Sequence, residues 1–176
     1  MSFLRLACPR GRSTLLIIVS IAGSSAAEAT SLALSSVAVI PGEVAALDLS
    51  LQASSGARPS AIQWTFQYPA TSISRFTVED GPALASAGKT VICSGDANAL
   101  KCLVAGLNRD EIPDGVVAKV SAVLEPGVSS TTILVGDALG VSTGGDAIPI
   151  SSANGTITAA NPPPDREPRL RNRRRD

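Results

Sequence analysis

At 176 residues, 44% hydrophobic but only 3% aromatic, with 15 Gly and 12 Pro, the chain has room for one domain of short strands plus tails. That excludes two full domains or a helical bundle rich in Glu, Lys and Leu. It has no His, which removes Ser/His/Asp and Cys/His nucleophiles, His-ligated zinc and the usual general base near neutral pH. The formal charge of zero hides an asymmetry: 30–160 carries six Lys and Arg against eleven acids, leaving −5, and the last twelve residues carry six Arg against three acids, leaving +3. The folded part therefore gives no ground for nucleic-acid binding.

Residues 1–29 have the order of a secretory signal peptide. Arg5, Arg10 and Arg12 precede the apolar run Leu15–Gly23, and Ala27-Glu28-Ala29 supplies a small-x-small cleavage pattern that makes Thr30 the mature start. The apolar run is short for a bilayer span, so the chain is expected not to span a membrane once the leader is removed, and to be secreted or displayed at a bacterial surface. Cys8 leaves with the leader, and Cys93 and Cys102 remain. An even count in an oxidising compartment favours a structural disulfide, here across a hairpin whose turn is Ser94-Gly95-Asp96-Ala97-Asn98. A redox or metal role for two Cys nine apart is the alternative.

From Thr30 onward nearly every segment reads as strand or turn. Ser31–Ile40 is apolar at Leu32, Leu34, Val37 and Val39, with a phase slip at Ser35-Ser36. After Pro41-Gly42, Glu43–Gln52 alternates, with Val44 and Ala46 in one phase and Leu47, Leu49 and Leu51 in the other after a second slip. Ala61–Tyr68 is the clearest strand: Ile62, Trp64, Phe66 and Tyr68 share one face, expected at the centre of the core, and Gln63, Thr65 and Gln67 share a polar, uncharged one. Core burial is preferred for Trp64 over a sugar-stacking platform. Ile73–Glu79 stops at Asp80-Gly81-Pro82, and the hairpin strands lie near Lys89–Cys93 and Leu100–Leu107. Asn108–Pro113 is a charged loop. Val116–Leu124, Thr131–Val135, a short piece near Ala138–Val141, Ala147–Ile150 and Thr156–Thr158 follow, with no helix longer than two turns. The expectation is an all-β, antiparallel β-sandwich over 30–160.

Residues 161–176 open with Pro162-Pro163-Pro164 and are charged thereafter, so they are expected to be a disordered tail whose Arg-rich end is solvated or meets anionic surfaces. The acid pairs Glu79/Asp80 and Asp110/Glu111 fall in turns, not across a cleft, so no catalytic residue is assigned and no enzyme is expected. No loop has EF-hand spacing, and no metal or cofactor is expected.

The order of motifs resembles a cohesin domain. Pro41-Gly42-Glu43-Val44 through Leu51 is similar to that family's opening, Phe66-Gln67-Tyr68-Pro69 to its third strand, and Val78-Glu79-Asp80-Gly81 to its fourth. Asp114–Val120, Gly145–Ile150 and Asn154–Thr158 resemble its later strands. Two features are this chain's own: no Asp stands between Tyr68 and Pro69, and the Cys93/Cys102 pair is not usual in the family. The resemblance implies a nine-stranded jelly-roll sandwich and an extracellular protein partner of the dockerin type, a module that folds around calcium. It implies a partner face on the sheet of the third, fifth, sixth and eighth strands, here Gln63, Thr65, Gln67, Thr90, Lys101 and Leu103 with Asp96 and Asn98 at the tip. The same architecture serves carbohydrate-binding modules, so polysaccharide is the alternative ligand.

Overall fold

Strands of period two bury one face each, and they need a second sheet to bury it against. The computed structural model describes residues 29–54 and 56–160, so the expected tail and all of the expected leader but its last residue lie outside the described residues. The strands in chain order are β1 (Ser31–Leu34), β2 (Val37–Val39), β3 (Val44–Gln52), β4 (Ala61–Gln67), β5 (Ile73–Asp80), β6 (Thr90–Gly95), β7 (Ala99–Ala105), β8 (Gly115–Leu124), β9 (Ser130–Val141), β10 (Ala147–Pro149), β11 (Ser151–Ala153) and β12 (Gly155–Ala159). A short helix, α1 (Pro82–Ser86), follows β5. The smaller sheet has the order β11-β1-β3-β8-β5, and the larger β2-β12-β9-β4-β7-β6 with β10 beside β9.

The apolar phases of the two sheets face each other. Leu32, Leu47, Leu49, Leu51, Val120 and Leu124 come from the smaller sheet, and Ile62, Trp64, Phe66, Val104, Ile133 and Ile157 from the larger. Trp64 and Phe66, both fully buried, meet edge to face at 5.9 Å between ring centres, as aromatic quadrupoles prefer. Phe66 in turn meets Phe76 of β5 at 5.4 Å, and Tyr68 stacks on Phe76 at 4.3 Å. This aromatic chain stitches the sheets together at one end of the sandwich. The expected core role of Trp64 therefore holds.

The structure corrects the expected layout in several places. The sandwich is not purely antiparallel: β1 pairs with β11 and β2 with β12 in parallel, which closes the sheets with segments from opposite ends of the chain. There are more strand segments than the nine expected. The slip at Ser35-Ser36 is a transfer of the chain from the smaller sheet to the larger, and the closing region makes three short strands. No slip occurs in β3; Ala45, not Val44 or Ala46, shares the buried phase of Leu47, Leu49 and Leu51, because Ala carries too little surface to mark a phase. The two pieces expected at Thr131–Val135 and Ala138–Val141 are one strand, β9, interrupted by a bulge.

Side chains close the gaps between strands. Val91 N–H of the edge strand β6 donates to Asp80 Oδ1 at 2.6 Å. Lys89 is buried, and its ammonium donates to the Asn108 carbonyl at 2.9 Å and to Asn108 Oδ1 at 2.6 Å, which offsets the loss of water around the charge. At the foot of α1, a Cβ on Gly81 would run into the Val116 carbonyl, so only glycine lets the chain lie this close to β8.

Candidate partner-binding face

Alternation in β4 turns Gln63, Thr65 and Gln67 away from the core, and the register of its neighbours fixes what stands beside them. Ile92 of β6 lies opposite Leu103 of β7, Leu103 opposite Gln63, and Gln63 opposite Leu139 of β9. This makes one transverse row across four strands, and three of its four members are apolar and open to water: Ile92 is 68% exposed, Leu103 49% and Leu139 37%. The next row is Ser94, Lys101, Thr65 and Gly136, in which Lys101 is the one charged side chain. The third is Ala99, Gln67 and Leu134, with Leu134 43% exposed. Thr90, exposed, stands on the same face at the start of β6.

The bulge in β9 makes this arrangement possible. Gln63 pairs with Leu139 but Thr65 pairs with Gly136, so an extra residue is accommodated opposite Trp64. Asp137 takes a positive φ of 51° there, a conformation that Asp tolerates better than most residues. The phase shift puts both Leu134 and Leu139, five positions apart, on the outer face.

The residues expected on a partner face thus fall into three groups. Gln63, Gln67, Thr90, Lys101 and Leu103 are brought together on one open surface. Thr65 shares their phase but is only 8% exposed, so it offers a partner little. Asp96 and Asn98 serve the hairpin turn. Asp96 Oδ1 accepts the N–H groups of Asn98 at 2.9 Å and Ala99 at 3.0 Å, which holds its carboxyl below the usual carboxylate range. Asn98 accepts from Ala70 N–H through Oδ1 at 3.2 Å and from Tyr68 N–H through its carbonyl at 3.0 Å. Ile92 and Leu139 were not anticipated. The signal for Ile92 was present, since it alternates in phase with Thr90.

Behind this face sits the disulfide. Cys93 lies opposite Cys102 in the β6–β7 register, and the two sulfurs are bonded at 2.04 Å. Cys102 is fully buried beside Trp64, so the bridge clamps the edge strand from the core side and leaves the outer face free. Among the described residues no group of three or more His, Cys, Asp or Glu could hold a metal ion, and no helix is long and apolar enough to cross a membrane.

This two-sheet architecture is that of solved cohesin structures. The sixth cohesin of scaffoldin B from Acetivibrio cellulolyticus, solved in complex with a dockerin, superposes with a TM-score of 0.66 at 16% identity, over 76% of this chain and 100% of that one. A non-cellulosomal cohesin from the archaeon Archaeoglobus fulgidus gives 0.63 at 15% identity, over 76% and 93%. The domain has a cohesin-like fold. The cohesin module of a family 33 glycoside hydrolase from Clostridium perfringens matches it too, with a TM-score of 0.62 at 15% identity over 74% and 96%. No protein-family model matches the chain, and no curated protein sequence does. At these identities the likeness is one of fold. The local features of the cohesin-like domain, its apolar row, its bulge and its disulfide, rest on this chain's own residues.

Proposed function

We propose that this cohesin-like domain is a non-catalytic, extracellular binding module that holds a protein partner of the dockerin type on the outer face of β9-β4-β7-β6. The observation that carries this reading is the row Ile92–Leu103–Gln63–Leu139: uncharged, with three exposed aliphatic side chains and one amide spread across four strands. Water-exposed aliphatic side chains in contiguous rows are characteristic of interaction surfaces. The cohesins from Acetivibrio cellulolyticus and Clostridium thermocellum to which the fold is similar were solved bound to dockerins, which supports the partner class. The leader-like residues 1–29 and the Cys93–Cys102 bridge support export, because such bridges persist in oxidising compartments. Polysaccharide is less well served: Trp64 and Phe66 are fully buried, and Tyr68, stacked on Phe76, opens only onto a depression at the end of the sheet, so the Ile92–Leu139 row itself offers no ring for a sugar to stack on.

The test is capture. The oxidised protein, immobilised, is exposed to the secreted proteins of its source, once with calcium and once with chelator, beside a pull-down on insoluble polysaccharide. Calcium-dependent capture of a dockerin-bearing protein is the expected result, lost on Leu103→Asp. Retention on polysaccharide with no protein partner refutes the proposal.

A further inference from the structure

At the Tyr68 end of the larger sheet, one strand stops before its neighbour does. In the antiparallel β9–β12 ladder, backbone groups alternate between the two sides of the strand. Ala159 N–H donates to the Ser129 carbonyl at 2.8 Å, and Val135 N–H turns to the same side to reach Asn154 Oδ1 at 2.9 Å. Ser129, Thr131, Ile133 and Val135 therefore face β12, and Ser130, Thr132 and Leu134 face β4. Leu134 meets Gln67 there. The next β4-side position that could meet Thr132 is Pro69, which has no N–H, and its carbonyl is taken by Ser72 N–H at 2.9 Å. Tyr68 cannot substitute, because its N–H is turned to Asn98 on the β7 side.

The N–H and C=O groups of Thr132 and Ser130 are thus left facing a groove, and neither the β4 ladder nor any side chain among the described residues meets them. The groove is a wide, open depression of about 650 Å³ whose lining includes Tyr68, Pro69, Leu134 and Ala99 and no charged side chain. We propose that this gap takes an extended, uncharged peptide segment of a partner protein, added beside β9 as the strand that Pro69 stops β4 from supplying. Alternating donors and acceptors repeating every two residues, roughly 6.6–6.8 Å, match a peptide backbone. Two such edge residues offer up to about four backbone hydrogen bonds, and the apolar lining takes the side chain between them. The site lies at the end of the sandwich, beyond the Ile92–Leu139 row, and does not depend on the function proposed for that row.

The probe is the capped peptide acetyl-Thr-Val-Thr-Val-Thr-amide, titrated into the isotope-labelled, oxidised protein and followed by amide resonances. Saturable shifts at Ser130, Thr132 and Gln67, with slowed hydrogen exchange at Thr132, are expected. Two backbone-methylated versions supply the discriminating readout: methylation at the residues of one phase weakens binding at least about tenfold, and methylation in the other phase leaves it unchanged. Thr132→Pro removes a donor the fold does not use, so it lowers peptide affinity while the melting temperature holds; the methylated pair decides the question however that variant folds. Absence of saturable shifts, equal loss for both methylated peptides, or the same shifts produced by a soluble glucan oligosaccharide in place of the peptide overturns the proposal. Leu103→Asp leaves these shifts in place, which separates a failure here from a failure of the proposed partner face.

Discussion

The two sheets of this sandwich turn different faces to water. On the smaller sheet, Asp48 stands opposite Lys119 and Lys119 opposite Glu79, a row of alternating charge, and the next row is Ala46, Ser121 and Thr77. On the larger sheet the corresponding central row is Ile92, Leu103, Gln63 and Leu139. Folding requires an apolar inner face from both sheets and an apolar outer face from neither. The charged row is what a solvated antiparallel sheet ordinarily shows. The aliphatic row is an aggregation hazard unless something covers it; the smaller sheet exposes Val44 at 56% but has no such row of three, and this contrast supports the binding role proposed for the larger sheet.

The largest effect should come from the shared interior. Trp64→Ala removes a fully buried ring that touches Phe66, and about 3–5 kcal/mol of stability should go with it. Chemical denaturation followed by far-ultraviolet circular dichroism measures this. A loss below about 1 kcal/mol would mean that the aromatic chain does not organise the core.

Next, the outer faces can be set against each other. Leu103→Asp should weaken the captured partner roughly 100-fold, about 3 kcal/mol, by placing a charge at the centre of the apolar row. Ser121→Asp on the smaller sheet should leave affinity unchanged, and both variants should melt close to the parent. Calorimetric titration decides, and equal losses for the two variants would erase the distinction between the sheets.

The disulfide sharpens the comparison differently, because it stiffens only the sheet that carries the apolar row. It joins residues nine apart, so on the chain-entropy account replacing both cysteines by Ala should cost roughly 2–3 kcal/mol. Fraying should concentrate in β6, seen as faster exchange of the Ile92 and Ser94 amides, while β3 and β8 keep theirs. Uniform loss of protection across both sheets would show that the bridge supports the whole fold and not this edge.

Much of this was legible in residues that state their phase strongly. The Ile62-Trp64-Phe66-Tyr68 face announced the core, and Ser35-Ser36 announced a break that proved to be a change of sheet. The parallel closures β1–β11 and β2–β12 left no local pattern, since each joins segments far apart in the chain and each partner is only a few residues long. Leu139 could not be placed outward without the bulge at Asp137–Ala138, and Thr65 reads as exposed unless its register opposite Lys101 and Gly136 is known. Asp96 and Asn98 look like free polar groups in sequence, but the turn they build consumes them.

The smallest effect concerns Tyr68, where the larger sheet meets the smaller. Its hydroxyl is pushed above the ordinary value near 10, first by burial and then by the negative charge of Asp96. Because the folded state holds this proton more tightly than the unfolded chain does, Tyr68 adds no pH dependence below about 10, and stability falls as pH rises above that value. Asp96 stays ionised throughout this range, its own carboxyl being depressed by the N–H groups of Asn98 and Ala99. The chain has a single Tyr, so tyrosinate absorbance reports this group alone. Asp96→Asn should lower the titration midpoint only part of the way, since burial, the larger cause, remains. A parent midpoint at or below 10 would mean that the ring is open to water and no longer seated on Phe76. A full return to 10 in the variant would mean that charge and not burial controls it, and that the aromatic contact between the sheets is looser than its 4.3 Å stacking distance implies.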